Sequence, residues 1–276
     1  MNATSTDHGS SSADESPGAA RMIDVGGRKL AVSCTGSGSP TVVLETGLGA
    51  ESAEWLTVQC AVQNITRVFR YDRAGRGASD SACRPRSAAD MVGDLQMLLQ
   101  IAAIRGPYVL VGHSFGGLLM RLFAHRYRSE VRSLILVDSM HQDQFEVFGP
   151  TFPPPTPSDP PQLRDMRNLW TGGWRNPAST LEGIDFAASF RQARAIDSLG
   201  DLPIRVLTAG TFLNSTFTPT ELRPGLQQRW ENLQKEFLRL SSASTQTFIH
   251  DSGHFMQRDK PQAVIDAIYE ALRQEG

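Results

Sequence analysis

Cysteine is scarce in this chain and neither sign of charge dominates it. Its 276 residues include three cysteines, Cys34, Cys60 and Cys83, too few and too scattered for a disulfide framework or a zinc site. The odd count leaves at least one thiol free, and partly buried cysteines in a reducing cytoplasm are expected. The formal net charge is −2, with acids and bases interspersed. That excludes the basic face a nucleic acid or an anionic membrane would need. There is no run of about 18 apolar residues, no charged-then-apolar leader, and no repeat or heptad array. The expectation is a soluble, cytoplasmic protein with no integral membrane association. Small neutral or apolar substrates fit such a composition better than polyanions.

What the chain does have is a serine set between glycines. Val109-Leu110-Val111-Gly112-His113-Ser114-Phe115-Gly116-Gly117-Leu118 reads as a buried strand, a sharp turn and a helix. A serine in such a turn takes a strained backbone conformation, and glycines at 112 and 116 carry no Cβ to clash as strand and helix approach. The hydroxyl is lifted clear of both elements, so Ser114 is the candidate nucleophile.

Other segments extend this pattern in both directions. Residues 1 to 20 are too polar to offset the entropy of ordering and read as a disordered tail. Met22–Val25 and Arg28–Cys34 flank a Gly26-Gly27 turn as a hairpin. Buried strands follow at Thr41–Glu45, Arg67–Tyr71, Ser133–Asp138 and Leu202–Gly210, with a last one at Thr245–Ile249. Between them lie amphipathic helices, among them Ser87–Ala103 with the capping pair Ser87 and Asp90, Pro224–Leu240, and Pro261–Arg273 with proline at its start. Alternating strand and helix predicts an α/β fold: a mostly parallel eight-stranded sheet with helices on both faces and chemistry at the carboxyl ends of the strands. The alternation breaks at 141–200, which holds a proline cluster and the aromatics Trp170, Trp174, Phe186 and Phe190. That stretch is expected to be a lid inserted into a core formed by 21–140 and 201–276.

A serine hydroxyl is a poor nucleophile until a neutral imidazole takes its proton and a carboxylate holds that imidazole. His254, in a glycine-flanked loop after the last strand, is the preferred base, with His250 the alternative. Asp72-Arg73, after the Arg67–Tyr71 strand, suits a structural ion pair or hydrogen-bond hub. The loop Thr46-Gly47-Leu48-Gly49-Ala50 leaves a central strand and can supply a backbone N–H from Leu48 to a developing oxyanion; the second donor would be Phe115, next to the serine.

Together these stretches resemble the α/β-hydrolase superfamily, in its lidded branch of esterases, thioesterases, lactonases, epoxide hydrolases and cofactor-free haloperoxidase-like enzymes. The resemblance covers about residues 22–276. It rests on Glu45-Thr46-Gly47-Leu48-Gly49, on Tyr71-Asp72-Arg73-Ala74-Gly75-Arg76-Gly77, on Gly112-His113-Ser114-Phe115-Gly116-Gly117 and on Ser252-Gly253-His254-Phe255. The chain departs from the branch in having Thr46-Gly47 where His-Gly is common. The triad acid usually follows the seventh strand, but Gly210–Ser215 contains none. Asp138, closing the sixth strand, takes the role by resemblance to members that place it there, and Glu221 is the fallback. The resemblance implies an ester, thioester or lactone hydrolase working through an acyl-enzyme, with no cofactor and no metal. The substrate would be a medium-sized apolar one, with Leu48, Phe115, Met140 and Phe255 around the site. The alternatives are acyl transfer or ring closure, C–C hydrolase or lyase chemistry, and a non-catalytic ligand-binding protein.

Overall fold

The structure is a computed structural model that describes residues 21–152 and 154–274. The tail at 1–20 lies outside the described residues. In chain order the elements are β1 (Arg21–Asp24), β2 (Lys29–Thr35), β3 (Thr41–Glu45), α1 (Leu56–Val62), β4 (Val68–Tyr71), α2 (Ala88–Ile101), β5 (Tyr108–His113), α3 (Phe115–Arg126) and β6 (Val131–Val137). There follow α4 (Gln144–Phe148), α5 (Pro161–Thr171), α6 (Phe186–Arg194), β7 (Ile204–Ala209), α7 (Arg223–Glu236), β8 (Ser244–Ile249), α8 (Met256–Asp259) and α9 (Pro261–Arg273). Of the stretch between β6 and β7, the described part is helical and irregular and adds no strand to the sheet.

The eight strands form one sheet in the order β1-β2-β4-β3-β5-β6-β7-β8. β1, β2 and β4 pair antiparallel and every pairing from β4 to β8 is parallel. The β1–β2 hairpin turns on Gly26 and Gly27, both near φ +90°. Their N–H groups donate to Asp24 Oδ1 at 2.9 and 2.8 Å, the local carboxylate bond that favours such turns.

Side chains alternate across a strand, and here the alternation divides the core in two. Leu110, Leu134, Leu136, Ile204 and Val206 face a layer built with α2, α3 and α6. Their neighbours Val109, Val111, Ile135, Val137 and Leu207 face α1 and α9. With both faces covered, the central strands are buried along nearly their whole length, as their unbroken apolar runs require. At α2, Ser87 N–H donates to Asp90 Oδ2 at 2.8 Å, the capping pair read from sequence. Residues of α6 add two more caps: Ser189 Oγ and Gln192 Oε1 accept the N–H groups of Ala88 and Ala89, both at 2.9 Å. This fastens α6 to the first turn of α2. The three cysteines are all exposed, not partly buried; each stands on a solvent-facing position of a strand edge, helix or loop, where the composition alone gave no direction. No helix among the described residues is long and apolar enough to cross a membrane.

Candidate active site

Ser114 sits between the end of β5 and the first turn of α3 with φ 51° and ψ −120°. For a residue with a Cβ such a conformation costs about 1–3 kcal/mol. It persists because the surroundings leave no alternative. Ser114 N–H donates to Val137 O at 3.1 Å, and Ser114 O accepts from Gly117 N at 2.9 Å and Met140 N at 2.8 Å. A Cβ on Gly112 would lie 2.5 Å from Gly116 O, and one on Gly116 would lie 2.5 Å from Thr46 O. The elbow therefore packs backbone to backbone against itself and against the end of β3.

Asp138 follows β6 with φ 43° and is fully buried. Its N–H donates to Leu207 O at 2.8 Å, fixing it against β7. Four donors surround its carboxylate. Oδ1 accepts from Ala209 N at 3.0 Å and Trp230 Nε1 at 2.7 Å, while Oδ2 accepts from Thr211 Oγ1 at 2.5 Å and meets His254 Nδ1 at 2.7 Å. A carboxylate can accept at all four of these lone-pair positions. Thr211 stands in the segment after β7 that holds no acid, and its hydroxyl turns toward the acid that β6 supplies.

The loop carrying His254 is held at several points. Asn214 Nδ2 donates to His250 O at 2.7 Å and Ser252 O at 3.0 Å, and Gly253 N–H donates to Asp259 Oδ2 at 2.9 Å. His113 Nε2 bonds the backbone carbonyl of His254 at 2.8 Å, which assigns the proton to Nε2. Burial, the largest cause, with a smaller contribution from the neighbouring His254, keeps His113 uncharged by holding it well below the ordinary histidine range. Neither Asn214 nor His113 was marked by sequence as part of the site. Their role emerges only when the loops after β5, β7 and β8 are brought side by side.

Ser114 and His254 line one cavity of about 420 Å³, together with Gly47, Leu48 and Thr211. No hydrogen bond joins Ser114 Oγ to His254 among the described residues; without substrate such contacts are often long. The N–H groups of Leu48 and Phe115 have no hydrogen-bond partner among the described residues. The Phe115 side chain is not at the site as expected. It is fully buried, edge-on to Phe186 at 5.7 Å, because the first turn of α3 rotates it inward while leaving its N–H beside the serine.

Other candidates fall elsewhere. His250 is at the surface, with Nε2 3.4 Å from Glu231 Oε1, and Glu221 is exposed ahead of α7. Asp72 and Arg73 do not pair with one another. Asp72 accepts from Ser52 N at 2.7 Å, whereas Arg73 is buried between Glu45 and Glu182. His141, Asp143 and Glu236 bring metal-ligating atoms within 4.8 Å of one another. That donor set is already used: Arg194 Nη2 meets Asp143 Oδ1 at 2.5 Å and Asp143 N–H donates to His141 Nδ1 at 3.2 Å.

The alpha/beta hydrolase family model matches residues 42–267. The chain belongs to that family. A relative, the uncharacterised protein YqjL of Bacillus subtilis (strain 168), is 29% identical over 238 residues, covering 85% of this chain and 84% of its own. An esterase from Thermogutta terrifontis superposes with a TM-score of 0.60 at 21% identity, covering 92% of this chain and 98% of that one. The enol-lactonase of Burkholderia xenovorans LB400 gives 0.64 at 17% identity, covering 92% and 100%. At such identities these two structures establish the shared alpha/beta hydrolase fold and no more.

Proposed function

We propose that this alpha/beta hydrolase is a serine hydrolase of carboxylic esters, thioesters or lactones, with Ser114 as nucleophile, His254 as general base and Asp138 as the group that orients it. The contact that carries the reading is Asp138 Oδ2 to His254 Nδ1 at 2.7 Å. A carboxylate on Nδ1 holds the proton there and leaves Nε2 free to accept one from Ser114 Oγ. In the first half of the reaction Oγ attacks the ester carbonyl and its proton passes to His254. The tetrahedral oxyanion is received by the N–H groups of Leu48 and Phe115, and the leaving alcohol takes the proton from His254. Water then attacks the acyl-enzyme by the same route. With serine at position 114, the elbow offers no carboxylate nucleophile of the kind that opens epoxides.

The cavity supports the substrate class. Met140, Phe145, Met166, Leu169, Trp170 and Phe217 contribute apolar side chains to its wall, and among the described residues no lysine or arginine lines it, Asp259 being the one carboxylate that does. Such a wall favours an uncharged, medium-sized acyl or alcohol group. Four of those six residues belong to the insertion between β6 and β7, which serves here as a lid.

The test is the intact mass of wild type and Ser114→Ala after exposure to a fluorophosphonate, followed by a panel of p-nitrophenyl esters of increasing acyl length. An adduct on wild type alone, with turnover of neutral medium-chain esters, is the expected result. A folded wild type that takes no adduct overturns the reading and favours a non-catalytic ligand-binding role.

A further inference from the structure

All three guanidinium nitrogens of Arg73 are committed inside the protein, and the side chain is 1% exposed. Nε donates to Glu182 Oε2 at 2.8 Å and Nη1 donates to Glu45 Oε1 at 2.6 Å and Thr46 O at 2.8 Å. Nη2 donates to Glu182 Oε1 at 2.7 Å and to Gly47 O at 2.6 Å. The last contact bears on catalysis. Gly47 C=O and Leu48 N–H belong to the same planar trans peptide, so they point in opposite directions. A guanidinium that grips the carbonyl from behind fixes the direction of the N–H in front, and by withdrawing electron density it strengthens that N–H as a donor.

Glu182 completes the arrangement from the insertion. Its Oε1 also accepts Gly49 N–H at 2.7 Å, so the same carboxylate holds the oxyanion loop one residue beyond Leu48. Glu182 does so from a left-handed backbone, φ 64° and ψ 2°, where a residue with a Cβ is disfavoured and glycine is not. Its carboxylate is buried and matched in two bonds to the guanidinium, the strong geometry for this pair. The segment is braced just after Glu182, where Arg86 N–H donates to Gly183 O at 3.0 Å and Asp185 N–H to Arg86 O at 2.9 Å. A strained backbone kept for one side chain, and that side chain spent on the oxyanion loop, indicates a positional task.

We propose that Arg73 and Glu182 are positioning residues that set the Gly47–Leu48 peptide for the oxyanion and make its orientation depend on the insertion being seated against the core. The inference rests on the serine-hydrolase reading with Leu48 as a donor. A pair that only clasped the fold would alter stability and leave transition-state binding alone.

The experiment uses Glu182→Gln, Glu182→Gly, which relieves the left-handed strain while removing the carboxylate, and Arg73→Lys. For each, kcat and KM are measured on a p-nitrophenyl ester. Inhibition is measured with a trifluoromethyl ketone, whose hemiketal presents an oxyanion, and with the matching methyl ketone, which does not. Expected is a loss of about 10- to 100-fold in kcat, a fraction of what deleting an oxyanion donor costs, with KM nearly unchanged. The trifluoromethyl ketone should weaken in proportion to kcat/KM and the methyl ketone hardly at all. Equal weakening of both ketones, unchanged kcat in the variants, or loss of cooperative melting in all three would overturn the proposal and leave a structural clasp. Fluorophosphonate labelling of wild type is scored first, so that failure of the serine reading itself is seen separately.

Discussion

Trp230 Nε1 donates to Asp138 Oδ1 at 2.7 Å, on the carboxylate oxygen opposite the one that meets His254. The indole reaches the acid from α7, so the helix following β7 secures the residue that ends β6. Trp230→Phe keeps an aromatic ring beside Phe148 and Phe212, which lie at 6.2 and 6.3 Å, and removes the donor together with part of the buried ring volume, so any packing loss adds to that of the hydrogen bond. A hydrogen bond to a buried charged group is worth about 1.5–3 kcal/mol. Urea unfolding of Trp230→Phe should show a loss of that size with an unchanged m-value, along with a smaller fall in kcat than Asp138→Asn produces. Unchanged stability would mean that the indole N–H contributes nothing net to the fold.

The same carboxylate offers a test of which acid serves the proposed triad. Asp138→Asn presents an amide to His254 Nδ1, stabilises the wrong tautomer and should lower kcat by about 10³–10⁴-fold while the protein still folds. Glu221→Gln alters an exposed side chain ahead of α7 and should leave kcat within about twofold, as surface changes do. Steady-state kinetics on the two variants checks the pair; a large effect at Glu221 and a small one at Asp138 would reverse the assignment.

The parts readable in sequence were those governed by local chemistry. The Gly-x-Ser-x-Gly turn, the Ser87–Asp90 cap, the proline-started helix and the buried strand runs each follow from residues close together in the chain. The Asp138–His254 contact was anticipated because Asp138 closes the sixth strand and 210–215 holds no acid. Trp230, Thr211, Asn214 and His113 were not, since a tryptophan on a long amphipathic helix carries the same pattern whether its N–H meets solvent or a carboxylate. Phe115 was misplaced for a related reason: its N–H and its side chain leave the helix in different directions, and sequence proximity to Ser114 does not distinguish them. Arg73 was marked as a hub, but its partner Glu182 is 109 residues away, inside the insertion, where no periodicity was available to place it.

Two glycine substitutions should act in opposite senses. Gly93 lies inside α2 with nothing within 4 Å of where a Cβ would stand. Gly93→Ala removes backbone freedom from the unfolded chain and should raise stability by about 0.4–1 kcal/mol. Gly116→Ala would force a methyl to within 2.6 Å of Glu45 O and 2.5 Å of Thr46 O, separating the elbow from the end of β3. Overpacking of this kind costs about 1–3 kcal/mol or more, and since it moves Ser114 the ester kcat should fall further than the melting temperature suggests. Thermal melts and ester turnover measured side by side give both signs.

Acid sensitivity should arise from buried histidines. His141 is buried against Arg121 and is pushed down to about 3, first by burial and then by the Arg121 charge; Asp143 opposes the shift and Arg194 adds to it. His113 is held well below the ordinary range by burial. An unfolded histidine titrates near 6.5, so below that pH the unfolded chain binds protons that the folded chain refuses. Stability is therefore full above about pH 6.5 and is lost as pH falls toward the folded value, at up to about 1.4 kcal/mol per pH unit for each histidine. His141→Gln keeps an acceptor for Asp143 N–H, which now bonds Nδ1 at 3.2 Å, and a donor toward Glu236 Oε2, 3.4 Å from Nε2, but takes up no proton in either state. Urea midpoints for wild type and His141→Gln at pH 7, 6, 5 and 4 should diverge, the variant losing stability less steeply by up to one proton. Parallel slopes would show that His141 is charged in the folded protein, with Asp143 and Glu236 outweighing both burial and the guanidinium of Arg121.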